Sequence, residues 1–273
     1  MQEKNTVHQL TPPIYTYLIT LKSPENPDIQ LICDRLKSFG YRVTVVQGVK
    51  GADLTAGDYF RLTNPLRART GRLMTPGELG CVLSHANALK MAAASEDAVH
   101  LILEDDFIAS DAALKWIAAV GHHVTSGTLL HLGGQEHMSR FYRLVRGHPI
   151  PNLPGAASVY PNDFPFLMCT VGYMVTAHTA HLLSNLMTKE PYLADDFGHA
   201  LRHGAIDRIW FRWVISHPTE QTNSTIANDR ILLNTTTKRH WSYRTRMNWA
   251  KLSRKLSTPP QLFLNNQQNK VQL

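Results

Sequence analysis

The chain has 273 residues, enough for one α/β domain with an ample core or two small ones, and its 43% apolar content is that of an ordinary globular protein. No run of about 18 apolar residues occurs, which excludes a membrane-spanning helix of the usual kind. The formal charge of +7 is uneven: Ile231 to Leu273 holds eight Lys/Arg and no acid, leaving 20 basic and 21 acidic residues before it, so the basicity bears on partners and not on the fold.

Ile14 to Leu21, between Pro12-Pro13 and Ser23-Pro24, reads as a first strand. A helix over Asp28–Phe39, closed by Gly40, and a strand at Arg42–Gln47 complete the strand–helix–strand rhythm of a parallel sheet. Lys50 to Arg72 reads as a long loop carrying Arg61, Arg67, Arg69 and Arg72, too long for a mere connection and therefore a candidate binding segment. Thr75-Pro76-Gly77-Glu78 is a helix start: Thr at the N-cap, Pro in the first turn, Glu completing a capping box. Leu79, Val82, Leu83, Ala86 and Ala93 then mark the buried face, with Ser84 and His85 at its edge. Gly77 and Gly80 point to a close backbone approach, either by a ligand or by a packing neighbour.

The next strand, Val-His-Leu-Ile-Leu from Val99, stops abruptly at Glu104, Asp105 and Asp106. Thr128–Leu132 is another short strand, ending at Gly133-Gly134-Gln135-Glu136, and 138–168 reads as an irregular excursion with short strands. Cys169–Thr176 is strand-like and Ala180–Thr188 helical. Ile206, Ile209, Trp210, Trp213 and Val214 fall at helical spacing and are assigned to the core. There is no internal repeat. Met1 to Leu10 has no apolar core, so no secretory leader is expected. Cys33, Cys81 and Cys169 are far apart and predict reduced thiols in a cytoplasmic compartment. Fourteen histidines include no His-Glu-x-x-His; His199 and His203, at i,i+4, read as an incidental pair.

Three adjacent carboxylates at a strand end repel one another, and a hard divalent cation resolves the conflict; Mg²⁺ or Mn²⁺ is typically shared with substrate phosphates. In α/β sheets ligands bind beyond the carboxyl ends of the strands, where such a triplet projects. The plain alternative is a solvated acidic turn.

Four segments, in order, resemble glycosyltransferase family 25, the bacterial lipooligosaccharide biosynthesis transferases. They are Tyr17-Leu18-Ile19-Thr20-Leu21, Thr75 through His85, Leu101 through Asp106, and Thr170-Val171-Gly172-Tyr173-Met174-Val175. A weaker fifth runs from Ala194-Asp195-Asp196 through His217-Pro218 to Asn223-Ser224. One departure is Ser23-Pro24-Glu25-Asn26-Pro27, where the family often carries arginines. The resemblance implies an α/β, GT-A type nucleotide-binding fold with a mixed, mostly parallel sheet over residues 1–235. It further implies a UDP-sugar donor (UDP-galactose or UDP-glucose), a lipooligosaccharide acceptor, and inversion at the anomeric carbon.

On that reading Asp106 is the ligand of Mn²⁺ or Mg²⁺, with Glu104 a second ligand or ribose contact. Asp105, Glu78, His85 and Arg72 are the candidate donor contacts. The general base falls to the Asp195–Asp196 pair, Asp196 fitting the spacing better, with Asp207 and His85 as rivals; acceptor contacts are not assigned. Residues 236–273 form a separate basic tail. In it Lys238, Arg239, Arg244, Arg246, Lys251, Arg254 and Lys255 alternate with Trp241, Tyr243, Trp249, Leu252 and Leu256, suited to peripheral contact of 238–255 with an anionic inner leaflet. The competing readings are a metal-dependent phosphohydrolase using the same carboxylates and a non-catalytic basic protein. Nucleic acid is not an expected partner, because no recognised module accompanies the charge.

Overall fold

A computed structural model describes residues 14–95, 99–136, 138 and 145–218, together with Thr245, Asn248, Leu252 and Leu262–Phe263. The chain opens as a βαβ unit: β1 (Tyr15–Thr20), α1 (Pro27–Ser38) and β2 (Arg42–Gln47). Asn26 caps α1 through its side chain, and Pro27 occupies the first turn, so the Ser23–Pro27 segment serves as a helix start. The two strands pair in parallel, Tyr15 opposite Arg42 through Thr20 opposite Gln47.

The segment expected as a loop contains a helix, α2 (Ala56–Thr70). Thr55 caps it, accepting from the Asp58 N–H, and Gly71 closes it at φ 79°. Pro65 lies inside it, which is what disguises the helix in the sequence, since an internal proline ordinarily costs about 3 kcal/mol. α3 (Pro76–Ala93) follows with the capping box formed, leading into β3 (Val99–Glu104), which lies parallel to β1 on the side away from β2.

β4 (Ile108–Ala109), α4 (Asp111–Val120) and β5 (Thr128–Gly133) come next, then the short strands β6 (Val145–Pro149) and β7 (Ala157–Val159) within the irregular excursion. β8 (Gly172–Thr176), α5 (Ala177–Lys189), α6 (Phe197–Arg202) and β9 (Arg208–Ser216) complete the body, and β10 (Leu262–Phe263) pairs antiparallel with β6. The stripe read at helical spacing is therefore a strand. Ile-Trp-Phe-Arg-Trp-Val-Ile is rich in β-branched and aromatic residues, which fit either period over so short a run. Pairing with β5 on one side and with β4 and β7 on the other decides for the strand.

The sheet order is β10-β6-β7-β9-β5-β8-β3-β1-β2, with β4 also on β9. Of the six strands β2, β1, β3, β8, β5 and β9, five point one way and β8 runs against them, so the sheet is mixed and mostly parallel at its centre. Alternate residues face two cores. Tyr17, Ile19 and Ile102 pack with Leu79, Val82 and Leu89 of α3 and Leu183 of α5. Leu18, Leu101 and Leu103 pack with Ile29 and Leu36 of α1 and Leu114 and Ile117 of α4. The chain leaves β1 toward β2 over one face and returns past it to β3 over the other. The carboxyl ends of β1 and β3 thus flank a topological switch point, where open α/β sheets bind ligands.

Candidate active site

The acidic triplet lies at that switch point, and each member is held by a different element. Glu104, the last residue of β3, accepts a 2.6 Å hydrogen bond from the Thr170 hydroxyl and lies 3.1 Å from His85 Nε2. His85 Nδ1 meets the Tyr173 hydroxyl at 3.0 Å. Burial alone would raise the Glu104 pKa, but the bonds from His85 and Thr170 and the positive charge of His85 and His217 hold it below the usual range. Asp105 accepts from the Thr20 hydroxyl, 2.6 Å away at the end of β1. Its pKa is raised, first by burial and then by the Asp106 and Glu104 charges, against the lowering effect of Thr20 and Lys22. Asp106 is exposed and pairs with His217 Nδ1 at 3.1 Å. Burial would push His217 down; the Asp106 hydrogen bond and the charges of Asp106, Glu104 and Glu136 outweigh it and hold His217 above the ordinary histidine value.

The helix motif has a local explanation residue by residue. Thr75 and Glu78 close the capping box, and Arg72 grips Glu78 with two 2.8 Å bonds. A Cβ at Gly80 would lie 2.5 Å from the Val49 carbonyl oxygen and 2.8 Å from the Gly51 nitrogen, so this glycine serves backbone packing. Ser84 accepts from the Val49 N–H at 2.8 Å. These contacts dock α3 against the chain after β2 and aim buried His85 at Glu104. Glu78 and Arg72, expected among the donor contacts, form a part-buried mutual pair, with Glu78 about 10 Å along the helix from His85, seven residues at 1.5 Å each.

On the far side of Thr170, Cys169 adopts a left-handed conformation at φ 73°, unusual for a residue with a side chain. His131 Nδ1 accepts from the Gly133 N–H, which leaves the proton on Nε2 to donate to the Cys169 carbonyl at 2.9 Å. The Cys169 N–H donates to Asp195 at 3.3 Å. Asp195 is thereby linked to Glu104 through a single residue step, Cys169 to Thr170. Asp196 caps α6, its Oδ1 accepting from the His199 N–H at 2.9 Å. Asp207, the rival base, lies at the opposite end of the sheet: its N–H bonds Gly127, and the ten residues of chain from there to His217 span about 30 Å.

Four residues without an assigned role in the sequence reading complete the site: Thr20, Glu136, Thr170 and His217. Glu136 accepts from the Trp213 indole N–H at 2.6 Å and from the His217 backbone N–H at 3.4 Å, tying the end of β9 to the chain beyond β5. Thr20, Thr170 and His217 all stood inside the segments that carried the family resemblance; that was the available signal. One ligand atom each from Glu104, Asp106 and His217 lies within 4.8 Å of the others.

Residues 14–198 match the family described as "Glycosyltransferase family 25 (LPS biosynthesis protein)". The chain is a glycosyltransferase, and it belongs to that family. No curated protein matches it. Among solved structures it is similar to a UDP-glucose pyrophosphorylase complexed with UDP-glucose, at 11% identity and a TM-score of 0.41 over 82% of this chain and 99% of that one. It is also similar to a mannose-1-phosphate geranyltransferase from Thermus thermophilus, at 12% identity and a TM-score of 0.37 over 76% and 75%. Among the described residues no helix is long and apolar enough to cross a membrane.

Proposed function

We propose that the chain transfers a hexose, galactose or glucose, from a UDP-sugar to a lipooligosaccharide acceptor with inversion, using Mn²⁺ or Mg²⁺ held by Glu104, Asp106 and His217. The observation that carries this reading is the convergence of those three side chains at the carboxyl end of β3. Two carboxylates and an imidazole suit Mn²⁺ better than Mg²⁺, which prefers an all-oxygen shell. When bound, the cation offsets the charge that develops on the departing diphosphate.

The chain's own groups supply the rest. Thr20 fixes Asp105 for the donor, while His85 and Thr170 keep Glu104 ionised and oriented. Asp195 is the favoured base because of its link to Thr170 through Cys169, and Asp196 is its neighbour at the helix cap. The base accepts the proton of the acceptor hydroxyl as that oxygen bonds the anomeric carbon and the bond to the diphosphate breaks; such assistance contributes about 10²–10⁴-fold. The basic segment 238–255, whose charge is the support for this part, holds the enzyme at an anionic cytoplasmic membrane surface beside its lipid-linked acceptor.

The test is UDP release across a panel of sugar nucleotides, with truncated lipooligosaccharide, with and without Mn²⁺. A UDP-hexose should turn over, and Asp106→Asn, His217→Ala or a chelator should each lower turnover by about 100-fold or more. Turnover indifferent to all three, or phosphate-ester hydrolysis with no sugar transferred, would refute the assignment.

A further inference from the structure

A second group of potential metal ligands lies outside the site above, at the other end of the Asp195-Asp196 loop. Glu190 follows α5, and His199 and His203 stand one turn apart at α6 and its C-terminal cap. One ligand atom of each lies within 4.8 Å of the others. The two imidazole rings are 4.1 Å apart, and His199 Nε2 is 3.9 Å from Glu190 Oε1.

We propose that Glu190, His199 and His203 form a structural site for a borderline divalent cation of the Zn²⁺ class, clipping residues 190–203 into one unit. Zinc bonds of about 2.0–2.1 Å in a tetrahedron put ligand atoms about 3.4 Å apart, so the separations need to close by about 0.5 Å for His199–Glu190 and by no more than about 1.4 Å elsewhere. His203 is exposed at the helix end, its ring packed against that of His199. Two imidazoles and one carboxylate are a donor set for Zn²⁺, or for Co²⁺ as its probe, and not for Mg²⁺. The surroundings orient the ligands as outer groups do in metal sites. Arg69 Nη1 donates to Glu190 Oε1 at 2.6 Å, and the Tyr192 ring packs 4.5 Å from that of His199. The ion would span the segment carrying Asp195 and Asp196 without sharing a ligand with Glu104, Asp106 or His217. The clip therefore stands independently of the donor-site assignment.

The experiment uses the full chain without a histidine tag, carrying Asp106→Asn to disable the donor-site group. Zn²⁺ binding is followed by equilibrium dialysis, and Co²⁺ by its visible absorption. One ion should bind with a tetrahedral Co²⁺ spectrum and raise the thermal midpoint. Adding His203→Ala or Glu190→Gln should weaken binding at least about tenfold and abolish the thermal shift. Far-UV circular dichroism separates ligand loss from unfolding, and Glu190→Gln keeps an oxygen for Arg69. Failure of Asp106→Asn protein to take up Zn²⁺ or Co²⁺, or uptake indifferent to both second substitutions, would overturn the proposal.

Discussion

Glu104 is oriented from two sides, by Thr170 and by His85, and His85 is itself fixed by Tyr173. That web holds Glu104 in one orientation at the end of β3. The neighbouring aspartates divide differently. Asp195→Asn should lower kcat by about 10²-fold or more, whereas Asp196→Asn, whose amide oxygen still caps α6, should leave stability within a few tenths of a kcal/mol and reduce kcat far less. Single-turnover assays with both variants check this; equal losses would assign the base to the pair. The triplet was readable because three consecutive acids end an apolar run. His217 had no assigned role because 111 residues separate it from Asp106, and only folding brings β9 to end beside β3.

At the scale of the element, α3 is the helix most fully specified by its own residues, yet its placement depends on others. Gly80→Ala should destabilise the protein by about 1–3 kcal/mol, because the added methyl meets backbone that cannot rotate aside. Arg72→Ala takes the guanidinium away from the buried Glu78 carboxylate in a part-buried pair and should also lower the urea midpoint. Urea unfolding of the two variants measures both; an unchanged midpoint for Arg72→Ala would place the Arg72–Glu78 pair outside the stabilising set. Thr75, Pro76 and Glu78 announce the helix because capping is local chemistry. Pro65 interrupts the pattern of α2 and makes it read as a loop, and β9 reads at helical spacing because its apolar residues satisfy two periods at once.

For the whole molecule, two histidines buried in the central sheet set the response to acid. Burial pushes His100 to about 4, and pushes His131 to about 4 against its backbone hydrogen bonds. Both are neutral in the fold and bind protons more readily when unfolded, so their contribution is complete above about pH 6.5 and declines as pH falls toward 4. Each should subtract about 2 kcal/mol by pH 5. Urea titrations at pH 7, 6 and 5 should show that decline, and His100→Phe should flatten it; a profile level between pH 7 and 5 would count against neutral burial. Protonating His131 also removes the acceptor for the Gly133 N–H, loosening the support of Cys169 and the strand end beside Glu104.

The amino-acid order by itself determined the βαβ opening, the capped helix α3, the carboxylate cluster and the family. All of these rest on short-range patterns: capping spacing, an apolar run ending in charge, and motif order. The tertiary structure alone decided which carboxylates lie together, that His217 and Thr20 join them, that Asp207 lies at the far end of the sheet, and that Glu190 meets His199 and His203. The reason is physical. Local pattern sets the conformation of a segment, but contact between residues a hundred positions apart follows from sheet order and strand direction, which are settled only when every strand has found its neighbours.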